Sequence, residues 1–103
     1  MRKNSEPVAD RLLDAAGRFG PVGEEAKKTS IHLTRRTAFA GVAPRKEFLV
    51  LTLKSDKDIA SARIGRRERA SANRWHLEVK LQDPREVDRE LVGWLRQAYA
   101  LSA

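Results

Sequence analysis

Within residues 27–54 the chain carries two short apolar runs and one long one, separated by turns of basic residues: KKTSIHLTRRTAFAGVAPRKEFLVLTLK. Ile31 and Leu33 alternate with His32 and Thr34, the period of two by which a strand turns successive side chains to opposite faces. Arg35 and Arg36 end that run. Arginine does not suit the positive φ of a two-residue hairpin turn, so a four-residue loop over residues 34–37 is predicted. Residues 37–43 make the next strand, and Pro44, Arg45, Lys46 and Glu47 the turn that closes it. Phe48 to Leu53 is apolar at five of six positions, a pattern that fits a central strand covered on both faces. Leu49, Leu51 and Leu53 would share one face, and Phe48 and Val50 the other.

Before this stretch, Val8, Leu12, Ala15, Ala16 and Phe19 recur at helical spacing, which predicts a helix over residues 5–19. Ser5 would cap it, Glu6 would suit its positive end, and Pro7 falls in the first turn, where a missing N–H costs little. Gly20 followed by Pro21 would stop it. Residues 21–30 show no period and read as a connection with one helical turn. Beyond the long run, residues 54–61 read as loop and residues 62–69 as a charged edge strand. Trp75, Leu77, Val79 and Leu81 alternate with His76, Glu78 and Lys80, a strand with one wet face. Asp83, Pro84 and Glu86 supply the cap, first-turn proline and third-position carboxylate of a helix over residues 84–101, with Val87, Leu91, Trp94, Leu95, Ala98 and Leu101 on one face.

The order predicts an α+β fold: an antiparallel sheet of about five strands over residues 30–81, a three-stranded meander plus a hairpin, with an N-terminal and a C-terminal helix on one face. At 103 residues it is read as a single domain spanning 1–103, with a core of Leu12, Phe39, Leu49, Leu51, Trp75, Leu77, Leu91 and Trp94.

Composition narrows the chemistry. There is no cysteine, which removes disulfides, thiolate nucleophiles and sulfur-ligated zinc. No apolar run reaches the roughly 20 residues that cross a bilayer, and the polar start, Met1 to Glu6, has no signal core after it, so the expected setting is cytoplasmic with no membrane contact. The net charge of +7 is uneven: residues 27–54 hold seven basic side chains against one acidic, and residues 55–82 seven against four. Both flanks are slightly acidic, so the excess lies wholly in the middle and favours polyanions.

KKTSIHL, TAFAGVAPRK, LVLTL, HLEVKL and VDRELVGWLRQAYA together resemble small bacterial domains grouped as domain of unknown function 5655. The likeness runs from about Lys27 to Tyr99, and Phe39 with Pro44, Arg45 and Lys46, then Ala98 with Tyr99, are its most specific pieces. It implies an α+β domain, alone or at the end of a larger protein, without an assigned activity or catalytic residues.

The candidate anion-binding residues are Lys27, Lys28, Arg35, Arg36, Arg45 and Lys46, whose long cationic side chains at turns suit phosphate groups. Successive meander turns fall at opposite ends of a sheet, so Lys28 and Arg45 would gather at one end and Arg35 and Arg36 at the other. The plain alternative is a solvated basic rim. Arg63, Arg66, Arg67, Arg69 and Arg74 would extend such a surface or simply face water. Glu78 and Lys80, two apart on a strand, with Asp56 or Asp58 upstream, resemble the carboxylate and lysine set of metal-dependent nucleases. A cross-strand ion pair satisfies the same spacing. His32 and His76 would pair or bind a metal only if their strands were neighbours. The expected function is a non-enzymatic binding module, with no cofactor, no resident metal and no catalytic residue. Its partner would be a polyanion, nucleic acid or acidic protein, met through the basic loops. The alternatives are a nuclease or hydrolase using Asp58, Glu78 and Lys80, and an assembly domain, so that the chain is a monomer or a homodimer through an uncovered sheet face or through Phe48 and Val50.

Overall fold

The computed structural model describes residues 5–102, and the side chains of Ser5 and Glu6, with their expected capping roles, lie outside that description. Helix α1 spans Ser5–Gly17 and is followed by strands β1 (Gly23–Ala26), β2 (Ile31–Thr34), β3 (Ala38–Pro44), β4 (Leu49–Ser55), β5 (Ile64–Ser71) and β6 (Arg74–Leu81). A short 3-10 turn, Pro84–Glu86, leads into helix α2, Arg89–Leu101. The strands form one antiparallel sheet in the order β1-β2-β3-β4-β6-β5. It is an α+β fold with one helix near each end of the chain. Among the described residues no helix is long and apolar enough to cross a membrane.

The sheet has six strands because residues 23–26, expected in a connection with one helical turn, add an edge strand. Its side chains are all exposed, and Glu24 and Glu25 have little preference for a strand. What places them there is the free edge of β2, whose backbone groups pair with β1 from Gly23↔Thr34 to Ala26↔Ile31. A tight turn, with the Lys27 amide donating to the Ser30 carbonyl at 2.7 Å, holds that register. Between β2 and β3 the register shifts at Leu33/Thr34, and the extra residue, Phe39, is buried beside Ala40 on one face.

Alternation decides the buried side. Leu33, Ala40, Leu53 and Leu77 lie in one register row, Val42, Leu51 and Val79 in the next, and Leu49 and Leu81 beyond them, all on the helix-covered face. Val8, Leu12 and Ala16 of α1 and Leu91, Leu95 and Ala98 of α2 close that face completely. Among the described residues no helix lies over the other face. The expectation that β4 is covered on both sides is corrected here: Val50 and Thr52 are half-buried by neighbouring strands alone, and Phe48 lies under the Lys80 ammonium, 4.5 Å from its ring centre. The tryptophans also differ from expectation. Trp75 and Trp94 are half-buried at the margin of the core, under Arg69 and Arg63 respectively, while Tyr99 is inside it, edge-on to Phe39 at 5.3 Å.

Both helix ends differ from the expected boundaries. α1 closes at Gly17 through bonds from Arg18 and Phe19 to Ala15 and Ala16, and Gly20 then takes φ +149°. The Tyr99 hydroxyl donates to the Pro21 carbonyl at 2.9 Å, and a Cβ on Gly20 would stand 2.6 Å from that hydroxyl. At the other helix the capping box of Asp83 and Glu86 organises the 3-10 turn only. Val87 breaks the run with φ −81°, ψ 70°, and Asp88 caps α2 anew by accepting from the Leu91 amide. Two complete cap signals lie five residues apart, and burial of Val87 between them turns the chain.

Candidate functional site

The β1–β2 and β3–β4 turns lie at the same end of the sheet, because β2 and β3 are antiparallel neighbours. Each is pinned by a backbone bond of 2.7 Å, Lys27 to Ser30 and Arg45 to Phe48. Between them is a hollow of about 390 Å³ lined by Lys27, Lys28, Thr29, Ser30, Pro44 and Arg45. The Lys27 ammonium stands 2.7 Å from Glu25, and that hydrogen bond, then the charge of Lys27, holds the Glu25 carboxyl below its usual range. Among the described residues Lys28 and Arg45 have no carboxylate partner. Lys46 is exposed in the same turn as Arg45 but does not line the hollow.

Arg35 and Arg36 lie at the opposite end, and the fold uses both. The Arg35 guanidinium rests 4.3 Å from the centre of the Tyr99 ring and donates to the Tyr99 carbonyl at 3.3 Å, while the Arg36 amide donates to the Ser102 carbonyl. A cation at this place satisfies the last carbonyls of α2 and suits the negative end of its dipole. Lys54 joins them: its ammonium donates to the hydroxyls of Thr37 and Ser102, each at 3.0 Å. Burial, then the charge of Arg74, lowers its pKa. In the sequence Lys54 is merely the first residue of a loop, and no periodicity marks it out.

The arginines around β5 divide as well. Arg63 donates to Asp88, to Glu90 and to the Glu86 carbonyl, and lies over Trp94. Burial opposes its charge, but the hydrogen bonds and charges of the two carboxylates raise its pKa all the same. Arg67 binds Asp58 and the carbonyls of Ile59 and Ser61, tying down the segment that crosses from β4 to β5. Among the described residues Arg66 and Arg74 make no ion pair.

Other arrangements read from the sequence are spread out. Arg67 is in register with Leu77 on the helix side, so Asp58 sits on that side, whereas Glu78 and Lys80 project from the open face. His32 and His76 share the open face but lie three strands apart and two residues out of register. Among the described residues no three histidine or carboxylate side chains gather as metal ligands do.

The family model for a domain of unknown function, DUF5655, matches residues 2–102. The chain belongs to that family. No curated protein and no solved structure matches it. The DUF5655 description assigns no activity, so the function of this DUF5655 domain has to be argued from its own geometry.

Proposed function

We propose that this DUF5655 domain is a non-enzymatic binding module that holds an anionic polymer against the two turns at the β1–β2 and β3–β4 end. The observation that carries the reading is the shared hollow: Lys27, Lys28 and Arg45, from two separate turns, border one space with the Thr29 and Ser30 hydroxyls. Both turns are closed by short backbone bonds, so the cations are held near one another before a partner arrives. Arg35 is not part of this reading, since its guanidinium serves α2.

The experiment is binding of a nucleic-acid duplex across a salt series. Neutralising two phosphate-facing cations with Lys28→Ala and Arg45→Ala should flatten the log K against log salt slope by about 0.9 per lost contact. Arg36→Ala at the far end serves as control. Equal slopes for the double variant and the parent would sink the proposal. Binding of an acidic protein but not of duplex would keep the turns and change the partner. The nuclease reading has no support in the placement of Asp58 and Glu78 on opposite faces.

A further inference from the structure

Gly41 stands in the middle of β3, a central strand, with His32 and Thr52 as its register neighbours on the open face. A glycine there weakens a strand, since it adds chain entropy to the unfolded state and has no side chain to pack. Its backbone does not require it, for the only positive-φ glycine among the described residues is Gly20. Nor does crowding: a Cβ at Gly41 would meet His32 Cδ2 and the Thr52 Cβ at 3.8 Å each, ordinary contact. What the missing side chain does is bare the strand backbone as the floor of a hollow of about 350 Å³, within the range of small-molecule sites.

The walls are uniform in one respect. His32, Thr52, Lys54 and His76 border the hollow and Ala43 extends its floor; among the described residues no carboxylate lines it, although Glu68 stands 3.9 Å from the His76 ring. The Lys54 ammonium gives two of its three protons to hydroxyls and has no carboxylate partner among the described residues. Arg74 adds a second positive charge nearby, and the depressed pKa of Lys54 reflects partial burial first and that charge second. A flat apolar floor with donors at its rim and, at one end, a cation without a carboxylate partner among the described residues selects a particular ligand chemistry.

We propose that the hollow over Gly41 binds a small planar anion, its flat body on the Gly41 backbone between His32 and Thr52 and its carboxylate or phosphate at Lys54. This site uses different cations from the turns assigned above and stands or falls separately from them.

The test is a titration of the labelled full chain, followed by the imidazole signals of His32 and His76, with indole-3-carboxylate, phenyl phosphate and uncharged indole-3-carboxamide. Saturable shifts with at least one anion are expected, with the carboxamide weaker by about tenfold, the loss of one charge-assisted bond. Which anion binds tells carboxylate from phosphate. Lys54→Gln should weaken anion binding by a similar factor, and Gly41→Val should abolish it. Gly41→Ala, which the contacts tolerate, should weaken binding without lowering the melting temperature. The proposal is overturned by equal binding of anion and carboxamide, by binding that survives Gly41→Val, or by no saturable shift with either anion. The same shifts on concentrating the protein alone would overturn it too, by assigning the face to a second copy of the chain.

Discussion

Gly20, Tyr99 and Asp88 show how single residues close this fold. Gly20 has a φ of +149° and lies under the Tyr99 hydroxyl, so Gly20→Ala should cost more than about 1 kcal/mol, through the backbone and through displacement of the Tyr99 to Pro21 bond. In a double-mutant cycle Tyr99→Phe should recover part of that loss; additive losses would show that only the backbone is strained. Asp88 accepts from the Leu91 amide at 3.1 Å and from Arg63 at 3.0 Å, and these bonds, the backbone one foremost, hold its pKa below the ordinary value. A depressed aspartate stabilises the fold above the ordinary pKa of about 3.9 and loses that contribution as pH falls through the folded value. Urea midpoints measured from about pH 5 down to about pH 2 should fall less steeply for Asp88→Asn than for the parent. Asp88→Ala should cost about 1 kcal/mol at neutral pH through the lost cap. Of these roles, the sequence displays a break at Gly20-Pro21 but not the Tyr99 contact there, nor the closure of α1 three residues earlier. It does not display the Asp88 cap, because the stronger-looking Asp83 box stands just before it.

At the level of elements, a strand's stability depends on what covers it more than on its own residues. β1 has four exposed residues and one neighbour, whereas β4 lies between β3 and β6 with Leu49, Leu51 and Leu53 buried. Amide exchange should therefore be fastest in β1 and slowest in β4 and β6; equal protection in β1 and β4 would contradict this account. The alternation of β6 was legible in the sequence because a half-buried strand repeats every two residues, whereas the apolar Phe48 and Val50 made β4 read as covered on both faces. β1 was not legible, because its strand conformation comes from the edge of β2 and leaves no apolar signature. The split of residues 84–101 into a 3-10 turn and α2 escaped for a related reason: helical spacing continues through Val87, and the Asp88 cap that restarts the helix stands behind the complete Asp83 box.

For the whole molecule, the sheet has one packed side and one open side, and stability should follow that asymmetry. Leu51→Ala, in the centre of the helix-covered core, should cost about 2–5 kcal/mol. Val50→Ala, one residue away on the open face, should cost under about 1.5 kcal/mol, as judged by chemical denaturation. Comparable losses at both positions would mean that something covers the open face in solution. Charge is divided in the same way. Arg35, Arg63 and Arg67 are bound into the structure, while Lys28 and Arg45 are left facing outward at one end.

The sequence by itself determined the elements whose residues alternate or recur against a core: α1, α2, the meander β2 to β4 and the wet-faced strand β6. It also determined that the excess positive charge sits between residues 27 and 82, and meander geometry alone separated Arg35 and Arg36 from Lys28 and Arg45. Only the tertiary structure decided that β6 enters beside β4, that residues 23–26 join the free edge of β2, and that Lys54 is turned toward the end of α2. The physical reason is range. Periodicity records what a residue's own element requires of it, whereas pairing, coverage and the destination of a long cationic side chain depend on residues far away in the chain.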